Sequence, residues 1–432
     1  MRIYAKKSTL EMEIERKTYL QKLIRSKHNG MIKVVTGIRR CGKSYLLFNI
    51  FLEHLRELGI DESHIITVDL EDRHNKHLCD PDNLLAYIDS KIIDGDMHYV
   101  ILDEVQRVKE FEEVLNSYLK KSNVDVYVTG SNSKLLSSDV ITEFRGRGLE
   151  IRVHPLSFRE FISAYQGESH EKALQEFMTY GGLPQIVSMQ TAEEKEDYLK
   201  TLFAGTYLRD IKERYKIMGD SDLEELLDVI ASGIGGLVNP RKLQDTFKTV
   251  KHSDISQDTI KRYLDIMQDA FLIERSIRYD IKGRKYINTP AKYYFNDLGL
   301  RNARLNFRQF EETHLMENMI YNELRIMGLS VDVGQVVINS KDKENTQSRR
   351  QNLEVDFVCN RGFKRYYIQS ALDLPSPEKM EQEQRPLLHI KDNFQKMIIV
   401  GGITPTHIND NGIVIMNVYD FLLNDNLLSS RL

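Results

Sequence analysis

No stretch of this 432-residue chain approaches the roughly 20 consecutive apolar residues of a membrane-spanning helix, so neither a span nor a membrane partner is expected. The opening MRIYAKKSTLEMEIERKTYL carries charge throughout and lacks the apolar core of a secretory signal, which makes the cytoplasm the expected location. Cysteine is scarce. Cys41, Cys79 and Cys359 are odd in number and far apart, which excludes a disulfide framework or a cysteine zinc cluster and fits a reducing compartment. Net charge is also small, −4 from 60 Lys and Arg against 64 Asp and Glu. A protein that coats a polyanion with its whole surface is thereby excluded, and any nucleic-acid site has to be regional. No internal repeat is found.

What is present is enough apolar material, 41%, to bury the cores of two or three domains. Residues 11–27 place Ile14, Tyr19, Leu20, Leu23 and Ile24 at helical spacing, predicting a leading amphipathic helix. Strand-like runs follow at 31–36, 64–70, 98–103, 124–130 and 149–154, separated by helix-compatible segments. Strand alternating with helix predicts an α/β fold with a largely parallel sheet covered on both faces. From Pro155 to about Tyr215 the pattern is helical, broken at Gly181-Gly182-Leu183-Pro184. Three helical stretches over 221–272, the last with Ser256 placed to cap it, precede a hairpin at 273–279 and 285–295, as in a winged helix. A second α/β unit starts near Glu311, with a polar loop expected at 339–352 and strands at LEVDFV, RYYIQSAL and KMIIVGG. The expected organisation is a nucleotide domain over 1–154, a helical annex with a winged-helix segment over 155–305, and a separate α/β domain over 306–432.

The segment Gly37, Ile38, Arg39, Arg40, Cys41, Gly42, Lys43, Ser44 fits GxxxxGK[ST], followed by Tyr45 on the helix it opens. In such a loop backbone N–H groups surround phosphates, the lysine reaches the β and γ phosphates, and the hydroxyl ligates magnesium. ATP with Mg2+ is therefore the expected ligand pair. Sixty residues after Lys43 an apolar strand ends in Asp103-Glu104. Asp103 suits a magnesium ligand beside Ser44, and Glu104 suits polarisation of the attacking water. The next strand ends Thr129-Gly130-Ser131-Asn132, where Ser131 or Asn132 could meet the γ phosphate. Arg145 or Arg147 could stabilise transition-state charge as an arginine finger, from the same subunit or a neighbouring one.

The order of these motifs resembles the bacterial and archaeal AAA-type P-loop ATPases that carry a C-terminal restriction-endonuclease-like domain of unknown function. The resemblance rests on Arg16 with Tyr19-Leu20, TGIRRCGKS at 36–44, LDE at 102–104, TGSN at 129–132 and Gly146-Arg147. Pro155-Leu156-Ser157-Phe158, Glu160-Phe161, Tyr180-Gly181-Gly182-Leu183-Pro184, Tyr207, Asp210-Ile211, Arg214 and Glu354-Val355-Asp356-Phe357 extend it over nearly the whole chain. It implies an AAA-type nucleotide domain with a winged-helix segment and names no substrate.

In an endonuclease-like core, acids and a lysine gather metal and activate water. Glu317, Asp356 and Gln369 occupy matching places, but Ala371 stands where the lysine belongs, so no DNA cleavage is expected. The winged-helix segment carries 11 Lys and Arg against 7 Asp and Glu between Arg241 and Lys285. Lys261, Arg262, Lys282, Arg284 and Lys285 make DNA a candidate partner there, although Asp258, Asp265 and Asp269 on the same helix oppose it. The expected activity is ATP hydrolysis by a molecular switch, in a homo-oligomer if the arginine acts between copies, that reports nucleotide state to a macromolecular partner. The alternatives are a nucleic-acid-processing ATPase with a C-terminal nuclease and a protein-interaction module that uses ATP only for assembly.

Overall fold

The computed structural model describes residues 14–130, 144, 146–167, 169–217, 221–341 and 348–424. Five of the apolar runs become strands β1 (Ile32–Thr36), β2 (Ile65–Asp69), β3 (His98–Asp103), β4 (Val124–Gly130) and β5 (Gly148–Arg152). They form one parallel sheet in the order β2-β3-β4-β1-β5. Period-2 alternation divides each strand between two cores: Val35, Ile101 and Tyr127 face one, Val34, Val100 and Val128 the other. Every residue of β1 and β3 is buried, as central strands covered on both faces must be, whereas the edge strand β2 alternates buried with exposed. The expected leading helix is present as Lys17–Arg25, burying Tyr19 and Leu23.

The annex is helical, as its sequence pattern predicts. Its first helix, Phe158–Ala164, starts with a reciprocal capping box between Ser157 and Glu160. Helices His170–Tyr180, Ala192–Leu202 and Arg209–Tyr215 follow. Next come helices Ser221–Ser232, Pro240–Thr246 and Gln257–Asp269, the last capped by Ser256 accepting from Thr259 N.

The second sheet has nine strands: β6 (Leu237–Val238), β7 (Ile273–Asp280), β8 (Lys285–Phe295), β9 (Ser330–Lys341), β10 (Ser348–Arg361), β11 (Lys364–Ala371), β12 (Gln395–Val400), β13 (His407–Ile408) and β14 (Val414–Asn417). Their order is β13-β14-β12-β11-β10-β9-β7-β8-β6, mixed parallel and antiparallel. Two expectations change here. The boundary expected at 305 falls inside this sheet, because Arg278–Asp280 of the hairpin pair in parallel with Val333–Gln335 of β9. The hairpin edge thus finds backbone partners beyond its own segment. The polar loop expected at 339–352 is partly strand: Lys341 pairs with Ser348 and Val337 with Asn352, since a ladder forms from backbone groups whatever the side-chain polarity. Among the described residues no helix is long and apolar enough to cross a membrane.

Candidate functional site

The loop between β1 and the helix opening at Lys43 is shaped by its glycines. Gly37 has φ +142°, and a Cβ there would stand 2.0 Å from the Val153 carbonyl oxygen at the end of β5. Only glycine fits. Ile38 and Cys41 are buried, with Cys41 Sγ 3.4 Å from the same Val153 oxygen, while Arg40 and Tyr45 are exposed. Gly42, in the left-handed region, starts the helix. Lys43 is buried, and its ammonium donates to the Gly37 and Ile38 carbonyls at 3.1 Å each.

The parallel register brings the ends of β3 and β4 beside this loop. Ser44 Oγ donates to Asp103 Oδ1 at 3.0 Å, and the Thr129 hydroxyl donates to that same oxygen. Thr129 Oγ1 in turn accepts the Glu104 backbone N–H at 2.8 Å. Glu104 takes a left-handed backbone conformation, φ +50°, and its carboxylate accepts the Gln106 amide. Burial pushes the Asp103 carboxyl above its ordinary range, while the Thr129 and Ser44 hydroxyls pull the other way. Ser44 and Asp103 are hard oxygen donors at one point, a set that fits magnesium.

Arg39 in the loop is gripped from outside the sheet. Its guanidinium pairs with Asp210 of the annex and, at 3.2 Å, with Glu71 just past β2, and its carbonyl accepts the Tyr207 hydroxyl. Other residues that carry the family resemblance tie the same parts together. Arg16 donates to Glu160 at 3.0 Å and to the His154 carbonyl at 2.6 Å, while Tyr19 Oη accepts from His154 N at 3.1 Å. Asp297 accepts the backbone N–H groups of Gly182 and Leu300 at 2.8 and 3.0 Å. A Cβ on Gly181 would stand 2.3 Å from the Asp297 carboxylate, so the turn closes on this acid only with glycine. Burial pushes the Asp297 carboxyl up to about 6 against the pull of those backbone donors.

The expected arginine finger is divided by the structure. Arg145 lies outside the described residues, as do Ser131 and Asn132. Arg147 is exposed, and its carbonyl accepts from Ile32 N at 2.8 Å at the start of β1. The loop 37–44 leaves the other end of β1, four residues or roughly 13 Å along the strand. Arg147 therefore stands at the end of β1 away from its own loop.

In the second sheet Glu317, Asp356 and Gln369 do come together. Asp356 N donates to Gln369 Oε1 and Ser370 N to Asp356 Oδ2, both at 2.8 Å. Ala371 leaves the expected lysine position apolar, but a different lysine reaches the acids. Lys292 of β8, buried, pairs with Glu317 at 2.9 Å and Glu354 at 2.7 Å, and Tyr294 donates to Glu317 at 2.7 Å. Burial opposes the Lys292 charge, but Glu317, Asp356 and Glu354 outweigh it and hold its pKa above the ordinary range. Burial, followed by the Glu317 charge, pushes the Asp356 carboxyl far up.

Sequence reasoning missed Thr129 as an Asp103 partner, because a threonine at a strand end reads as a strand former. It also missed Lys292, whose signal was a lone lysine entering the apolar run YYF.

Residues 29–162 match the family described as an AAA domain, and residues 171–311 match a domain of unknown function (DUF8612). An uncharacterized protein of Haemophilus influenzae is 34% identical over 416 residues, covering 95% of this chain and 98% of that one. Uncharacterized protein MJ1544 of Methanocaldococcus jannaschii is 27% identical over 378 residues, 84% of this chain and 79% of that one. Among solved structures, the Walker-type ATPase PABY2304 of Pyrococcus abyssi aligns with a TM-score of 0.52 at 17% identity, over 70% of this chain and 99% of that one, a likeness of fold. With its phosphate loop, its β2-β3-β4-β1-β5 sheet and a near full-length relative, the chain belongs to the AAA-type P-loop ATPase family that it shares with the Haemophilus influenzae protein.

Proposed function

We propose that the chain binds ATP with magnesium at the loop 37–44, hydrolyses it, and passes the nucleotide state through the annex to a macromolecular partner. The observation that carries this reading is the convergence of the Ser44 and Thr129 hydroxyls on one Asp103 oxygen, with Glu104 next in sequence and its backbone fixed by Thr129. Ser44 and Asp103 would hold the magnesium ion, which supplies charge neutralisation on the phosphates. Lys43 turns from the Gly37 and Ile38 carbonyls to the phosphates, and Glu104 accepts a proton from the attacking water. Arg147 is assigned to the site of a neighbouring copy, so the working form is a homo-oligomer.

The route outward starts at Arg39. A phosphate that rearranges the loop also moves the residue that Asp210, Glu71 and Tyr207 hold, and the annex receives that displacement. Helices Pro240–Thr246 and Gln257–Asp269 with the β7-β8 hairpin are read as a winged helix. Protein contact is favoured over DNA, because Lys261 is paired with Asp258 at 3.2 Å and Lys282 donates to the Val337 carbonyl at 2.9 Å. The second sheet is read as an endonuclease-like core without cleavage, since the Lys292 ammonium is spent on Glu317 and Glu354.

The test is Glu104→Gln beside Asp210→Asn and the parent. The expected Glu104→Gln result is ATP affinity near that of the parent in calorimetry, with phosphate release lower by about a hundredfold or more. Asp210→Asn is expected to bind ATP and to change turnover severalfold. A parent protein that releases no phosphate at any concentration would leave only the assembly module standing.

A further inference from the structure

At the other end of the β2-β3 pair from the phosphate loop, two histidines and an aspartate meet. His64 ends the turn Glu62–His64 that leads into β2, and His98 is the first residue of β3. Ile65 pairs with Tyr99, so the parallel register sets the two histidines side by side, with ring centroids 4.7 Å apart. Asp94 reaches them from the connection that follows helix Pro81–Lys91. One ligand atom from each of the three lies within 4.8 Å of the others.

The hydrogen bonds around the rings fix where their protons lie. His98 Nδ1 is 2.8 Å from the Asp96 carbonyl oxygen, which can only accept, so Nδ1 carries the proton and Nε2 the lone pair. That lone pair meets the Ile93 backbone N–H at 3.2 Å. Ser63 Oγ donates to Asp61 Oδ1, so toward His64 Nδ1, 3.3 Å away, it is left to accept. By the same rule His64 Nε2 donates its proton to the Asp94 carboxylate, which can only accept, while Ser63 Oγ holds the other ring nitrogen. Both Asp94 oxygens are 3.1 Å from His64 Nε2. A divalent cation that displaces this proton would lie between His64 Nε2 and the carboxylate, so binding there releases a proton. Anchoring of the far ring nitrogen by a carbonyl or a hydroxyl is how ligating histidines are oriented.

We propose that His64 Nε2, His98 Nε2 and an Asp94 carboxylate oxygen form a binding site for a zinc-class divalent transition metal, completed by water, that staples the starts of β2 and β3. Two imidazoles and one carboxylate suit zinc and disfavour magnesium, which takes oxygen ligands. Ligand atoms about a tetrahedral zinc stand about 3.4 Å apart, close to the present separation of His64 from Asp94. Asp94 is exposed, with Oδ1 accepting the Asp96 N–H at 2.9 Å and Oδ2 turned to the ion, and Ile93, also exposed, can turn its N–H to water when the ion takes His98 Nε2. Neither this site nor its function depends on ATP hydrolysis at the loop 37–44.

The experiment uses the full chain, stripped with a chelator and kept free of magnesium and nucleotide, titrated with Zn2+ by calorimetry and then melted. The expected result is one ion per chain and a higher Tm with zinc. Asp94→Asn and His64→Gln should each weaken binding at least tenfold and remove the zinc-dependent rise in Tm. Both side chains lie at or near the surface, so these variants fold even if a His98 variant does not. Cys79→Ser and Asp103→Asn should keep the ion, separating the site from the thiol and from the phosphate loop. Failure of the parent to bind, unchanged affinity in both Asp94→Asn and His64→Gln, or loss of the ion in Asp103→Asn would each overturn the proposal.

Discussion

Replacing Glu274 by glutamine tests how the nucleotide sheet is joined to the second sheet. Glu274 on β7 is buried and receives Arg152 from the end of β5 and, at 2.8 Å, Arg325 from helix Glu312–Ile326. Tyr321 of the same helix donates to it at 3.1 Å. Burial works to raise its pKa, but the Arg152 and Arg325 charges outweigh burial and hold the carboxyl at about 2, against 4.5 in a free chain. A depressed carboxyl stabilises the fold fully above its unfolded pKa and loses that contribution as pH falls through the folded value. A fall from 4.5 to about 2 corresponds to about 3 kcal/mol at pH 7, of which about 2 remains at pH 3.5. Glu274→Gln keeps the shape and removes the titration. Urea unfolding of parent and variant at pH 7 and pH 3.5 should show a gap of about 3 kcal/mol that narrows by about 1 kcal/mol. A gap of equal size at both pH values would refute the reasoning, because the ionised carboxylate would then not be what holds the joint.

Lys43→Ala should abolish ATP binding in calorimetry, since the loop loses the ammonium that meets the phosphates, and near-normal affinity would remove the site assignment. Arg147→Ala should lose turnover and keep nucleotide affinity, while parent activity per chain rises with protein concentration. A flat dilution series would count against action between copies. Thr129→Val strips Asp103 and the Glu104 N–H of a buried partner, which is expected to lower turnover about tenfold and stability by about 1 to 3 kcal/mol, read by phosphate release and thermal melts. Plasmid and oligonucleotide DNA incubated with the protein and magnesium or manganese should stay intact, with or without ATP. Cleavage that vanishes in Asp356→Ala would show that Lys292 serves the acids as a nuclease lysine would.

Sequence alone determined the nucleotide domain, because its signals are local: alternating apolar runs dictate strands buried on both faces, and a GxxxxGKS loop needs only its own glycines and the helix it opens. The pairing of Asp103 with Ser44 was legible for the same reason, as each sits at the end of an element whose type the sequence reveals. What tertiary structure decided is everything that depends on which strand ends lie together. Register along β1 and β5 carried Arg147 to the end away from its own loop, although it stands only five residues before Arg152. Pairing of β7 with β9 merged the hairpin with the C-terminal strands and delivered Lys292 to Glu317 and Glu354, from a segment that sequence spacing assigned to another domain. Parallel pairing of β2 with β3 likewise set His64 beside His98, across 34 residues that carry no motif joining them. Long-range pairing is chosen by the burial of whole faces and by backbone hydrogen bonding, and neither leaves a local trace at the residues it brings together.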